Sequence, residues 1–580
     1  MRKLAVICGF GGINAAGRSS GWHAFNRVVF DQLSSAEQQQ TVRALTQLAQ
    51  PQTDLRHTIM AADEQQTRLN GSLIRQWDNQ LWDANAVPVH EPFTDEQGQA
   101  CWRLRHQRLP VQSAGQAPIG FTPEQHYPQP TQARHHPRGL QMALYAASDA
   151  LGQLGYNWEH LRQHLRPDQI AVYAGSAMGQ LDAQSHGGML QAALQGKRTS
   201  AKQCALGLAE MTADFINAYV LGNVGATGTM MGACASFLYN LKIGLDDIQS
   251  GRRRLVLVGN SESPLTPEIV QGYHAMTALA SEAKLRELDQ LNPDELPNWR
   301  RASRPFGQNC GFTLGESAQC FILCDDELAI ELGLTIYAAV GDVFTHADGF
   351  KSSIASPGIG NYLTLGKAMG EARRWLGDDL LRSGSFVQAH GSSTPQNRTT
   401  ESEILSRLAT TFGIRHWPIT AMKAHLGHSI SAASADQLLM TLGSWQQGWL
   451  PGITTTEALA DDVHQQSLHF ALQHQPLDST TTPLAFINAK GFGGNNASGF
   501  VISPQQTALW LQRKYGRQGW SEYQRKQSLT LAQSQAYDEA TLAGQTQLRY
   551  HFAHNELQPD DVTLWDHSIA IRGWQQRVLL

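Results

Sequence analysis

The sequence predicts an α/β fold carried by mostly parallel, buried sheets. Two observations predict it. Short apolar runs of strand length alternate with longer segments of helical period. The same order of motifs also occurs twice along the chain. Taken in order, "LAVICGF" at 4–10 is a first buried strand that breaks at Gly11-Gly12. That break makes the apolar run too short for a secretory leader, so a strand and a glycine turn are expected instead. "GLQMALYAASDALGQLG" at 139–155 has helical period, and "IAVYAGS" at 170–176 follows as a strand. Leu238, Leu241, Leu245 and Ile248 mark a helix stopped by Ser250-Gly251, before the strand "LVLVGN" at 255–260. Further strands are expected at "AQCFIL" 318–323, "SFVQAH" 385–390, "LAFINA" 484–489 and "SGFVIS" 498–503. Runs apolar on both faces suit strands covered by helices on both sides.

The repetition pairs three segments of each half. "VYAGSAMG" corresponds to "VQAHGSSTP", "GACASFLYNLKIGL" to "GHSISAASADQLLM", and "GFTLGESAQCFIL" to "KGFGGNNASGFVIS". Two diverged copies of one α/β unit account for this order, with a period far too long for a solenoid. The expected division is a first core strand and entry over 1–33, then a polar, Pro- and Gln-rich insertion over 34–133. A first half follows at 134–330, a second at 331–503, and an extension at 504–580. Insertion and extension read as surface decoration or dimer contact.

Composition narrows the function. A formal charge of −5 gives no general surface for nucleic acid. No apolar run reaches the ~18 residues of a membrane span. The seven cysteines are odd in number and include no CxxC pair. They imply reduced thiols and a cytoplasmic protein rather than a disulfide framework or zinc ribbon.

Three segments carry candidate chemistry. In "MMGACASFLYN", Cys234 stands among small residues where a helix begins, a position that favours a thiolate. The competing reading is a small buried hydrophobe. "AHGSSTP" puts His390 at a strand end, and "KAHLGHSISAA" puts His428 just before a helix. The repeat sets the His428 turn opposite the Cys234 turn. One thiol and two imidazoles are therefore expected to converge at strand-to-helix junctions, where α/β proteins build sites. His425 and His428 lack the further ligands a zinc site needs, so no metal is expected. In "NAKGFGGNNASG", glycines around Phe492 allow close backbone approach, and an N–H there could face an oxyanion. A purely structural hairpin is the alternative.

Together, "GACAS", "HGSSTP", "KAHLGH" and "GFGGNN" resemble the motif set of the β-ketoacyl-ACP synthases, over roughly 134–503 plus the first strand. The opening "GFGGINAAGRSS", the long insertion, "SRPFGQNCGFTLGES" and the extended tail resemble the long bacterial FabY-type initiating synthases. The resemblance implies the thiolase-like duplicated fold, a five-layer α-β-α-β-α sandwich. It implies that Cys234 accepts the acyl group and that His390 and His428 hold the malonyl thioester carbonyl during loss of carbon dioxide. Lys423 matches the supporting lysine and Glu401 the acid paired with it. Phe492, with Gly491 and Gly493, would gate the site, its N–H completing an oxyanion hole with that of Cys234, and Thr394 would bind substrate. Acetyl-CoA and malonyl-ACP are implied as substrates, acyl carrier protein as partner, a homodimer as assembly, and no metal or redox cofactor. Three positions depart from the family: Lys490 replaces an aromatic residue, Ser431 a glycine and Arg398 an aspartate. Lys490 would place a charge beside the acyl channel and disfavour long primers.

Rival readings share the fold. A thiolase would carry a second cysteine in the late glycine loop, and "GFGGNNASG" has none. A non-catalytic partner subunit would lack the nucleophile, which is present as Cys234. An elongating, polyketide or aryl-polyene ketosynthase would use the same chemistry on another primer.

Overall fold

In a computed structural model, the described residues are 3–48, 71–76, 86–118, 120–128, 133–193, 196–349, 358–546, 548–553 and 556–580. Parts of the expected insertion, 49–70 and 77–85 among them, lie outside this set. Among the described residues, ten strands form the core. The first half contributes β1 Ala5–Asn14, β2 Ile170–Gly175, β3 Ala226–Gly228, β4 Leu255–Glu262 and β5 Ser317–Asp325. The second contributes β6 Ala338–Ala347, β7 Ser385–Gln388, β8 Trp417–Thr420, β9 Leu484–Gly491 and β10 Asn495–Ile502.

The two halves have one topology. In space the first runs β3-β2-β4-β5-β1 and the second β8-β7-β9-β10-β6. In both, the pairings among the first three strands are parallel, and the two that follow are antiparallel. The halves meet where Ala5, Val6 and Ile7 pair antiparallel with Val340, Ala339 and Ala338. The duplication evident in the motifs is thus a repeated strand order. The expectation of mostly parallel sheets is corrected to a mixed sheet. Strand–helix alternation implies parallel crossovers, but the β9–β10 turn is only a few residues long, which permits only an antiparallel return. Three strands carry little sequence signal. β3 is three residues of "ATG", β8 contains Pro418, and β6 is interrupted at Gly341 by a bulge. A Cβ at Gly341 would stand 2.0 Å from the Phe500 ring.

Helices α1 Arg138–Gln153 and α3 Ile359–Ser383 cover the outer faces of the two halves. α2 Ser236–Gln249 and α5 Ala433–Gln447 pack on each other between the half-sheets, giving five layers. Alternation along β4 serves both sides: Val256 and Val258 join Leu238, Leu241, Leu438 and Leu442 in the central layer. Leu255 and Leu257 join Leu140 and Leu144 outside. Each such burial contributes about 1.5–3 kcal/mol relative to exposure. Among the described residues no helix is long and apolar enough to cross a membrane.

The tail and the insertion are not decoration. α6, Pro504–Leu542, lies along both halves: Tyr523 Oη donates to Leu334 O of the second at 3.0 Å and Tyr537 Oη to Asp149 of the first at 3.0 Å. Its Asp538 accepts from Arg18 and bonds to His23 Nε2 at 2.9 Å. A Cβ at Gly152 would meet the Tyr537 ring at 2.3 Å, so that glycine lets the helix seat. From the insertion, Leu73 N–H donates to His425 O at 2.9 Å and Gly115 N–H to Leu314 O at 2.8 Å. Leu109, Val111 and Ala114 join the apolar cluster that contains Cys234. Neither Gln-rich composition nor weak periodicity signals such contacts, because they are long-range.

Candidate active site

The Cys234 turn is bent before the helix starts. Ala233 takes a positive φ of 50°, and a 3-10 turn over Ala233–Ala235 leads into α2. Ser236 pins it, its Oγ accepting from Gly232 N–H at 2.9 Å and donating to Ala233 O at 2.7 Å. The second half repeats this bend: Ile430 has a φ of 45°, and a 3-10 turn over Ile430–Ala432 leads into α5. His428 lies just before that turn, its N–H on Thr313 O at 2.6 Å and its carbonyl accepting from Gly315 at 2.9 Å.

His390 follows β7 and is clasped from both sides. Glu401, on α4 Pro395–Phe412, accepts His390 N–H at 2.7 Å and Gly391 N–H at 2.8 Å. Asn397 and Asn488 donate to the same carboxylate at 2.9 and 2.8 Å. Lys423 Nζ donates to the His390 carbonyl at 2.6 Å. The expected Lys423–Glu401 pair is therefore corrected: each grips the His390 backbone rather than the other, because four donors already occupy the carboxylate.

The two imidazoles lie 5.4 Å apart, near perpendicular. His390 Nδ1 accepts from Lys490 N–H at 3.3 Å, and His428 Nδ1 from Ile430 N–H at 3.1 Å. Accepting at Nδ1 places the proton of each neutral ring on Nε2. Burial, then the nearby Lys423 charge, hold both rings well below the usual imidazole range, so they are neutral donors. Burial also pulls Lys423 down to about 8, against the pull of Cys234 and Glu401.

Cys234 departs from the sequence expectation. Burial pushes its thiol up to about 11, outweighing Lys423 and the Phe492 N–H, which favour the thiolate. The helix start alone does not make this cysteine a resting thiolate. Two backbone N–H groups, of Phe492 and of Cys234 itself, do face its sulfur. Gly491 permits that approach, since a Cβ there would lie 2.1 Å from Gly232 O and 3.2 Å from Cys234 N. A Gly491→Ala protein is expected to fold but acylate at least about tenfold more slowly, because the clash is with backbone and moves the donors. Stopped-flow acylation at unchanged melting temperature checks this.

A cavity of about 370 Å³ joins Cys234, His390, His428, Phe492, Thr394 and Lys490. Phe492 stacks on Tyr273 at 5.8 Å, half-buried at the cavity wall. Gly491 and Gly494 line the cavity. Gly493 is exposed with a φ of 88° and serves the turn rather than the wall, a correction to its expected substrate contact. Thr394 caps α4, its Oγ1 accepting from Asn397 N–H at 3.4 Å. Arg398 forks onto Asp462 at 2.7 and 2.9 Å, away from the histidines. His425 turns aside to Gly452 O at 2.7 Å and stacks on His474. Among the described residues no three His, Cys, Asp or Glu side chains gather as a metal set.

Sequence reasoning missed Asn397 and Asn488, which saturate Glu401, and the Lys490 and Ile430 amides that set the tautomers. Main-chain donors leave no signal in residue identity. It also missed Glu262, buried at the end of β4, whose carboxyl burial pushes up to about 7. Its signal is a polar "NSE" closing an apolar strand.

Comparison with known proteins places the sequence and the fold. The family model for the N-terminal domain of β-ketoacyl synthases matches residues 97–329, and that for the C-terminal domain matches 340–457. The chain is 44% identical over 631 residues to beta-ketoacyl-[acyl-carrier-protein] synthase FabY of Pseudomonas aeruginosa, covering 99% of this chain and 98% of the relative. It is 26% identical over 412 residues to the tetracenomycin polyketide synthase ketoacyl synthase alpha subunit of Streptomyces glaucescens, covering 69% and 88%. A crystal structure of the ketosynthase FabY from P. aeruginosa superposes with a TM-score of 0.94 at 42% identity, over 100% of this chain and 98% of that one. A type II polyketide ketosynthase in complex with its acyl-carrier protein shares the fold, with a TM-score of 0.60 at 18% identity over 87% and 100%. With a duplicated five-layer fold, Cys234 and two histidines on a single cavity, and full-length likeness to a member, this chain belongs to the β-ketoacyl synthase family.

Proposed function

We propose that the chain condenses malonyl-ACP with an acyl primer, acetyl-CoA, through an acyl-Cys234 intermediate, and so starts fatty-acid chains. One observation carries this reading: both imidazoles line the cavity they share with Cys234 and accept a main-chain N–H at Nδ1, which leaves an Nε2–H, not a lone pair, as the free group of each neutral ring. Two such donors suit an oxygen that gains charge, as an enolate oxygen does.

The steps follow from these groups. Cys234 sulfur attacks the acetyl thioester, the carbon–sulfur bond to CoA breaks, and the thiol proton ends on the departing CoA sulfur. The oxyanion of that step faces the Phe492 and Cys234 N–H groups. Malonyl-ACP then loses carbon dioxide; the electron pair of the broken carbon–carbon bond moves to the thioester oxygen, between His390 and His428. The enolate carbon attacks acyl-Cys234, and the released sulfur takes a proton from solvent. Lys423 and Glu401 hold His390 in place as positioning residues. The preference for a short CoA-linked primer rests on the full-length likeness to the FabY synthase. A second copy of the chain completes the assembly; β3 is an open sheet edge, with Val224, Met230 and Met231 exposed beside it.

Incubation with acetyl-CoA followed by peptide mapping tests the nucleophile. The expected result is one acetyl group on Cys234. Acetylation of Cys310, which lines the same cavity, with Cys234 unmodified would overturn the assignment.

A further inference from the structure

Lys490 is a cation at the reacting end of the cavity, and among the described residues no carboxylate is in ion-pair contact with it. Its main-chain N–H holds His390 Nδ1 at 3.3 Å, so its side chain is rooted beside the imidazole whose Nε2–H is left free. The side chain lines the cavity, and among the described residues its ammonium bonds only to Thr400 Oγ1, at 3.0 Å. The two nearby acids already accept hydrogen bonds from other groups. Glu401 accepts from two backbone amides and two asparagines. Asp348 accepts from Gly360 N–H and Asn496 Nδ2, both at 2.7 Å. Burial lowers the Lys490 pKa, and these acids only partly oppose it. Lys490 is half-buried, and an ammonium that a protein draws partly out of water without an ion-pair partner carries a cost that a ligand's counter-charge would offset.

The position of the ammonium says which ligand. Lys490 was expected against an apolar acyl wall. Instead its Nζ bonds to Thr400 of α4, beside Gly358, and Thr400, Asn397, Gln396 and Thr394 together give the cavity a polar wall there. This is the wall next to His390, the group assigned to the thioester oxygen of the carbon nucleophile. In malonyl the carboxylate is one methylene away from that thioester carbon. We infer that Lys490 is the specificity residue that recognises the free carboxylate of the malonyl substrate, and so separates it from uncharged acyl thioesters. This rests on the condensation reading above. A lysine suits the task, since it is a compact charge on a flexible stem rather than a bidentate fork. The contact exists while the carboxylate is charged and fades as carbon dioxide forms, so it aids binding more than bond cleavage.

The test compares wild type with Lys490→Met, Lys490→Gln and Lys490→Arg at matched melting temperature. Steady-state kinetics with malonyl-ACP are set beside the acylation kinetics of Cys234 with acetyl-CoA. In the Met and Gln proteins KM for malonyl-ACP is expected to rise about tenfold, kcat is not expected to fall in proportion, and the Arg protein recovers most of the loss. The malonyl effect should exceed the acetyl-CoA effect at least about fivefold, by that same logic of ground-state binding. Equal effects on both substrates, or none on malonyl-ACP, overturn the inference. A wild-type protein that releases no carbon dioxide from malonyl-ACP overturns the condensation reading itself instead.

Discussion

His390→Ala or His428→Ala is expected to lower release of carbon dioxide from malonyl-ACP by about 10²–10³, the usual effect of losing one donor to a developing oxyanion. Acetylation of Cys234 should remain measurable in both proteins, because the donors nearest the sulfur are main-chain groups of Phe492 and Cys234. Quantifying carbon dioxide and acetyl-enzyme side by side separates the two steps. Near-normal decarboxylation in either variant would remove that histidine from the enolate site. The pH profile carries a second check. Both rings are held below the ordinary imidazole value by burial and by Lys423. They stay neutral as pH falls through 6.5, so wild-type decarboxylation should have no break near that pH. A break there would mean that one ring titrates as if exposed.

Arg18→Met should cost the fold about 3–5 kcal/mol, the range for breaking a buried ion pair by removing one partner. Arg18 is 1% exposed and sits between Asp149, fully buried, and Asp538 of α6. Without it two carboxylates face each other across the seam between the tail helix and the first half. Burial alone would raise Asp538, but the His23 hydrogen bond and the Arg18 charge hold it down to about 2. A depressed carboxyl stabilises the fold above its unfolded value near ~3.9, and that contribution is lost as pH falls toward the folded value. In the Met protein the Arg18 share of this contribution is lost while the His23 hydrogen bond remains, so its acid unfolding should begin at higher pH than in wild type. Urea titrations at about pH 7 and about pH 3, on either side of the unfolded carboxyl value, measure both effects. Equal urea midpoints for the two proteins at neutral pH would show that the tail is not clamped through this residue. By the same reasoning, a chain ending at Ser503 should fail to fold stably. The tail thus has a larger structural part than its polar composition suggests.

Much of the site is legible in the residues themselves. Cys234 stands at a helix start, His428 just before one and His390 at the end of an apolar strand, and the motif repeat sets the Cys234 and His428 turns at equivalent places. Their convergence follows from duplication: equivalent turns in two similar halves that pack central helix to central helix must end near one another. Glu401 and Lys423 are legible as residues but not as contacts. Their spacing suggests a pair, whereas folding turns each toward a different end of His390. Main-chain donors from Phe492, Lys490 and Ile430 are out of reach, because any residue except proline carries the same amide.

Strand and helix alternation, the two-fold repetition, the nucleophile and its two histidines all follow from the order of residues. They depend on hydrophobic period and on side-chain chemistry, which are local and written residue by residue. Four other features arise only once the chain is folded. Within each half two of the four pairings are antiparallel, because strand direction depends on where the intervening loops return the chain. Segments of the insertion lie against the His428 turn and Arg18 clamps the tail helix, contacts between residues hundreds of positions apart. The Cys234 thiol is raised rather than lowered, because desolvation depends on everything packed around the sulfur and outweighs the helix start. And Lys490 turns onto the polar wall beside His390, since the direction of a long flexible side chain is set by the neighbours that fill the space around it.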